Sequence, residues 1–261
     1  MPSALHIAKT GLDALQTRMS VISNNLANVG TTGYKKSRAS FEDLLYETVS
    51  QPGGSTSQNT ELPSGLMLGT GVRTVSTEKI FTQGSLTRTE SSLDVAIQGR
   101  GFLQILLPDG ATAYTRDGSF SINSQGQVVT SSGYELDPSL TVPAQTLSLT
   151  IGADGTVTAQ TAGSTATTQI GSLQLADFIN PQGLQAVGQN LFKETVASGS
   201  PQASTPGLNG LGTLIQGSLE ASNVNVVEEL VNMIETQRSY EMNSKAIQTV
   251  DEMLQFVSQQ L

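Results

Sequence analysis

The sequence predicts an α+β protein in which a discontinuous coiled-coil domain, made from an N-terminal and a C-terminal α-helix, encloses a connector and an antiparallel β domain. Three observations carry that expectation. Leu5, Ala8, Leu12, Leu15, Met19, Ile22, Leu26 and Val29 advance in alternating steps of three and four, which places them on one stripe of a helix. Tyr240, Ile247, Val250, Leu254, Val257 and Leu261 repeat those steps at the other end, broken only by Asn243. Between the two, from Val72 to about Thr158, short alternating stretches are separated by turn residues. The expected division is therefore 1–33 for the first helix, 34–71 for the connector, 72–222 for the β domain and 223–261 for the last helix.

Ser3 is the expected N-cap of the first helix, and Gly30 and Gly33 supply the backbone freedom that ends it. Lys9, Thr10, Asp13, Gln16 and Thr17 make its other face polar, so the apolar stripe needs a partner. Asn225, three residues ahead of Glu228, marks the start of the C-terminal helix as in a capping box. Apolar doublets in that helix (Val226/Val227, Leu230/Val231, Met233/Ile234, Met253/Leu254, Phe256/Val257) widen its apolar arc beyond what one neighbour covers. A second partner is implied, most economically another copy of the chain. Helices of this kind draw most of their stability from packing, so both are expected to order fully only on assembly.

Charged residues are 13% of the 261 and aromatic residues 5%, with a net charge of −9, 26 glycines, no tryptophan and no cysteine. An acidic chain without a basic stripe is a poor ligand for nucleic acid, whose binding depends on Lys and Arg neutralising phosphates. Without cysteine there is no disulfide and no thiolate metal site. Asp13 and Arg18 interrupt the first apolar stretch, which is periodic rather than continuous, so it does not read as a cleavable secretory signal. No apolar run approaches the roughly 18 residues of a membrane span.

At the end of the first helix the chain reads Ser23-Asn24-Asn25-Leu26-Ala27-Asn28-Val29-Gly30-Thr31-Thr32-Gly33-Tyr34-Lys35. Here it resembles the flagellar basal-body rod and hook proteins, whose signature is Ala-Asn-x-x-Thr-x-Gly-Tyr-Lys. Ala27, Asn28, Thr31, Gly33, Tyr34 and Lys35 fill every fixed place. The resemblance implies a structural axial subunit, not an enzyme, that polymerises helically into the distal rod, the drive shaft that crosses the periplasm and passes torque from motor to hook. It further implies terminal helices lining an inner tube, contacts with other rod proteins, the hook protein and surrounding rings, and passage through the flagellar export apparatus without a cleaved signal. On that reading Leu5, Leu12, Leu15, Met19, Ile22, Leu26, Leu230, Ile234, Tyr240, Ile247, Val250, Leu254 and Val257 form the assembly interface. The rival from the residues alone is a secreted carbohydrate-binding or adhesive β module on a coiled-coil stalk.

Phe41, Leu44, Leu45 and Val49 are spaced as in a short amphipathic helix, stopped by Gln51-Pro52-Gly53-Gly54. Residues 50–71 are rich in Ser, Thr, Gly and Pro and read as a flexible linker. The resemblance makes this stretch, with Leu62-Pro63-Ser64-Gly65 and Gly69-Thr70-Gly71-Val72, an extra rod-type segment associated with keeping the rod straight. Further on, Ser92–Ile97 and Phe120–Asn123 alternate as half-buried strands do, and Pro108-Asp109-Gly110, Asp117-Gly118, Ser124-Gln125-Gly126 and Ala153-Asp154-Gly155 mark turns. One more strand is expected over Ile170–Phe178, and Ser198–Gly212 leads to the final helix.

Little in the chain could carry chemistry. The single histidine, His6, sits near the start of a heptad helix with no partner motif. Gly99-Arg100-Gly101 lacks the third glycine of a dinucleotide loop, and the turn aspartates do not make the spaced acidic loop that holds calcium. No cofactor or metal is expected. Lys35, Lys36 and Arg38, beside Glu42, Asp43 and Glu47, read equally as electrostatic contacts between subunits or as a solvated face.

Overall fold

The computed structural model describes residues 2–51, 55–57, 60–61, 64–163 and 166–259. The chain divides into two compact units. The first comprises Met1–Ala27, Ser37–Glu78 and Asn225–Leu261, and the second Asn28–Lys36 and Lys79–Val224. The connector is thus shared, its first nine residues going with the β unit and the rest with the helices.

In the first unit, helix α1 spans Pro2–Ala27 and helix α2 spans Val226–Gln259. α1 already includes Ser3, which is inside its first turn rather than its cap. Asn225 caps α2 as its position predicts, its Oδ1 accepting from the backbone N–H of Val227 at 3.1 Å and of Glu228 at 3.4 Å. The helices are antiparallel neighbours: Gly11 faces Asn243, and Arg18 Nη2 lies 3.9 Å from Glu235 Oε2.

The expected short helix over Phe41–Val49 does not form. Strands Ser37–Asp43 and Tyr46–Ser50 occupy that stretch, pairing with Val72–Lys79 and Leu66–Gly69 respectively. Tyr46, Thr48 and Val49 are residues that favour strands, and a neighbouring strand satisfies the backbone groups that a helix of so few residues would leave unpaired. A further short pair, Ser55–Ser57 with Thr60–Glu61, extends this ribbon, so much of the expected linker is strand. Residues 52–54, 62 and 63, which include the expected Pro-Gly-Gly stop and the Leu-Pro pair, lie outside the described residues.

The second unit is mostly antiparallel β. Its central strand, Phe102–Leu106, pairs with Thr112–Thr115 on one side, and on the other with Glu135–Asp137 and Leu175–Asp177 in succession. The sheet continues through Val128–Thr130 and Phe120–Ile122 at one end, and Leu191–Lys193 and Gln185–Gly188 at the other. Alternation along the central strand sends Leu103 and Ile105 into an aliphatic core with Val95, Ile97, Leu136, Leu175 and Leu214. Phe102 goes to the opposite face, where it packs edge-on against Phe81, Phe178 and Phe192.

Elsewhere in this unit local pattern is a weaker guide. Val95, Ala96 and Ile97 are all buried, because their strand is covered on both faces rather than half-solvated as the alternation over Ser92–Ile97 predicted. The single strand expected over Ile170–Phe178 is two, Thr167–Ser172 and Leu175–Asp177, belonging to different sheets. The turns stand as read. Asp109, Asp117 and Asp154 each accept from the backbone N–H two residues on, at 3.0–3.1 Å. Gly99 and Gly101, both at positive φ, turn the chain between two strands.

Candidate functional site

The signature after α1 is built into the β unit. Asn28 and Thr31 close the first turn, with Thr31 N–H donating to the Asn28 carbonyl at 3.2 Å and its hydroxyl to Asn28 Oδ1 at 3.2 Å. Gly33 follows with φ +67° and donates its N–H to the Glu220 carbonyl at 2.8 Å. A side chain there would place Cβ 2.6 Å from the backbone nitrogen of Asp117, so both conformation and space require glycine. Gly33→Ala should therefore cost about 1–3 kcal/mol of β-unit stability, the range for backbone strain of this kind; calorimetric unfolding checks it.

Tyr34 is buried, and Lys79 Nζ stands 4.7 Å from the centre of its ring. Lys35 turns inward. Its amine is fully buried, 2.5 Å from Glu220 Oε1 and 2.8 Å from the Thr82 carbonyl. The other carboxylate oxygen of Glu220 takes Arg116 Nη1 at 3.1 Å, and Oε1 also accepts from Gly84 N–H at 2.9 Å. Arg116 gives Nη2 to the Gly99 carbonyl at 2.5 Å and lies over the Phe102 ring. Two cations thus share one anion in a buried pocket. Burial pulls the Lys35 amine below the usual lysine range, Glu220 opposes that shift, and the like charge of Arg116 adds to it.

The Lys35 reading from sequence is corrected: it is neither a subunit contact nor solvated, but half of a buried ion pair. Arg38 is likewise engaged within its own unit, donating from both Nε and Nη2 to Glu78 Oε1. Beside Lys35, Asn223 accepts from Lys36 N–H at 2.7 Å and donates to the Ile80 carbonyl at 2.8 Å. The residues leaving α1 and those approaching α2 are therefore fastened to the same segment, 80–84. Sequence reasoning missed Glu220, Arg116 and Asn223. Each is separated from Lys35 by at least 80 positions, and no local spacing marks them.

The helical unit has a different character. Of the stripe read on α1, Ile22 is buried, while Leu5, Leu12, Leu15, Met19 and Leu26 are half-buried. Gly11, one position off that stripe, packs against Asn243 of α2. On α2 the most enclosed residues are Glu229 and Thr236, with Asn243 half-buried, one heptad apart and all polar. Leu230 is 42% exposed, Ile234 52% and Tyr240 42%, whereas Ile247 and Val250 are half-buried. The side chains of Leu254 and Val257, and all of Leu261, lie outside the described ones. The structure thus buries a polar seam of α2 and leaves much of its apolar arc facing solvent.

His6 is exposed, and among the described residues no group of three or more His, Asp or Glu is placed to hold a metal. No helix among them is long and apolar enough to cross a membrane.

Three family models match along the chain: flagella basal body rod protein at 5–35, flagellar hook protein FlgE/F/G D1 domain at 96–159, and flagellar basal body rod FlgEFG protein C-terminal at 215–260. The first ends on Lys35 and the last includes Glu220. A flagellar basal-body rod protein FlgG of Buchnera aphidicola subsp. Schizaphis graminum is 58% identical over 99% of this chain and 100% of its own. The chain belongs to the FlgG family of flagellar basal-body rod proteins. FlgG proteins of Caulobacter vibrioides, at 48% identity over 98% of each chain, and Bacillus subtilis, at 37% over 98% of this chain and 97% of its own, show how far the likeness reaches. As a FlgG-family member the chain is a structural component of the flagellar basal body and not an enzyme.

Proposed function

We propose that the chain is the repeating subunit of the distal rod, polymerising helically through its terminal helices. The observation that carries this reading is the apolar arc of α2. Val227, Leu230, Val231, Ile234, Met242, Met253 and Phe256 are exposed in a single chain, more than an isolated helical pair leaves to water without a partner. α1 offers half-buried Leu5, Leu12, Leu15, Met19 and Leu26 from the other side. Another copy of the chain, presenting the same helices, would bury both sets, and the two helices together would then form the coiled-coil domain that encloses the rest.

In this reading the β unit gives each subunit a rigid body, and the buried Lys35–Glu220–Arg116 cluster fastens to that body the segments through which torque passes. Other rod proteins, the hook protein and the surrounding rings are the neighbours along and around the shaft. The chain reaches its place through the flagellar export apparatus, with its first helix retained because assembly needs it. Electron microscopy of the purified chain at high concentration tests the proposal: helical tubes are expected, and a chain that stays monomeric at every concentration would overturn it.

The exposed ribbon also has a place in the rod. Leu45, Tyr46, Val49, Leu66, Met67 and Leu68 are all exposed, so the segment presents apolar surface for a neighbour to cover. Deleting residues 51–70 should leave the thermal unfolding of the β unit unchanged and alter the curvature or stiffness of assembled tubes. Tubes as straight and stiff as the parent's would remove this role.

A further inference from the structure

The outer strand of the three-stranded sheet raises a separate question. Thr146–Ile151 pairs antiparallel with Thr156–Thr161, which pairs in turn with Thr167–Ser172. Thr146-Leu147-Ser148-Leu149-Thr150-Ile151 carries no charge and no proline, and Leu147, at a register shift, is 71% exposed. A strand of this composition on an open edge is a template for adding another strand, and proteins ordinarily protect such edges with charge, proline or a covering element.

One side chain is placed to protect it. Gln216 ends the strand Thr213–Gln216 and projects its amide onto the outward edge. Its Oε1 accepts from Ile151 N–H at 3.2 Å, and its Nε2 donates to the Leu149 carbonyl at 2.8 Å and to the Ser92 carbonyl at 2.7 Å. A carbonyl on one residue and an N–H two residues on are the pair that a single residue of an adjoining parallel strand would engage. The carboxamide reproduces a peptide group there.

We propose that Gln216 closes this edge, and that without its amide the strand accepts Thr146–Ile151 of a second copy as an added antiparallel strand. The occupant follows from the segment itself: it is uncharged, so two copies meet without repulsion, and its exposed Leu147 borders a cleft of about 520 Å³ also lined by Ile122 and Leu149. A polymerising subunit has particular need of such closure, since a second mode of association competes with the productive one.

The test uses the full-length chain with Gln216→Leu, similar in size but without the amide, and Gln216→Asn, one methylene too short to reach. Calorimetry confirms that the β unit is folded. At concentrations where the folded variants are monomeric the Ile151 amide should exchange with solvent faster by on the order of tenfold, and at higher concentration sedimentation should show association beyond that of the parent chain. Adding Leu147→Lys should abolish the extra association, because a charge on the edge opposes strand pairing. A folded variant of either kind that associates no more than the parent, or whose association survives Leu147→Lys, overturns the proposal.

Discussion

Replacing Glu220 with alanine is expected to lower the stability of the β unit by about 3–5 kcal/mol, the usual cost of leaving a buried charge without its partner. Lys35 and Arg116 would then face each other in a closed pocket with no anion between them. The loss also takes away the acceptor of Gly84 N–H. In a domain of roughly 150–250 residues each kcal/mol shifts the unfolding midpoint by about 2–4 °C, so the drop should be large on any calorimetric trace. Lys35→Met removes one of two cations and leaves Glu220 paired with Arg116, so its cost should be smaller. Arg38→Ala, from the same basic cluster, breaks only the exposed pair with Glu78 and should cost no more than about 1 kcal/mol. Equal effects from Glu220→Ala and Arg38→Ala would show that the buried cluster is not what fastens the signature to the β unit.

Ile234→Asp is expected to abolish polymerisation while leaving the single chain nearly as stable as before. Ile234 is 52% exposed on α2, so a carboxylate there remains hydrated in the monomer. In a polymer that buries the α2 arc, the same carboxylate loses its water and replaces apolar burial of about 1.5–3 kcal/mol per side chain. Every subunit repeats the defect, so the penalty recurs along the tube. Leu15→Asp, on the half-buried face of α1, should have the same effect on assembly with some cost to the helical pair. Sedimentation and motility report the assembly defect, and unfolding of the β unit serves as the control. Normal tubes from Ile234→Asp would remove α2's exposed arc from the interface.

These two predictions rest on features that were unequally legible in the sequence. The helices were legible because Leu5 to Leu26 repeat over several turns and Asn225 carries its cap locally. The turns at Asp109, Asp117 and Asp154 were legible for the same reason, each being a contact between residues two apart. The face on which the helices meet was legible in part. Asn243 stands at the break in the stripe read on α2, whereas Gly11, which packs against it, does not stand out in a count of apolar positions. The strands over Ser37–Ser50 are short and largely exposed, so their spacing could equally be fitted to a helix. Ladder partners near Leu66 and Val72 settled the outcome. Within the signature, the resemblance marked Gly33 and Lys35, but the reason they stand there lies at Asp117, Arg116 and Glu220. Burial of a lysine is specified by a partner 185 positions away, and periodicity carries no information over that distance.

The measurement that bears most directly on helix-mediated assembly is methionine oxidation by a short hydroxyl-radical pulse, read by mass spectrometry in the soluble chain and in assembled tubes. Met242 and Met253 are 65% and 54% exposed on α2 in the single chain, and the chain has no cysteine to complicate the readout. Assembly should lower the oxidation rate of both several-fold by covering the arc on which they stand. Rates at Met242 and Met253 that are the same in tubes as in the soluble chain would contradict the account.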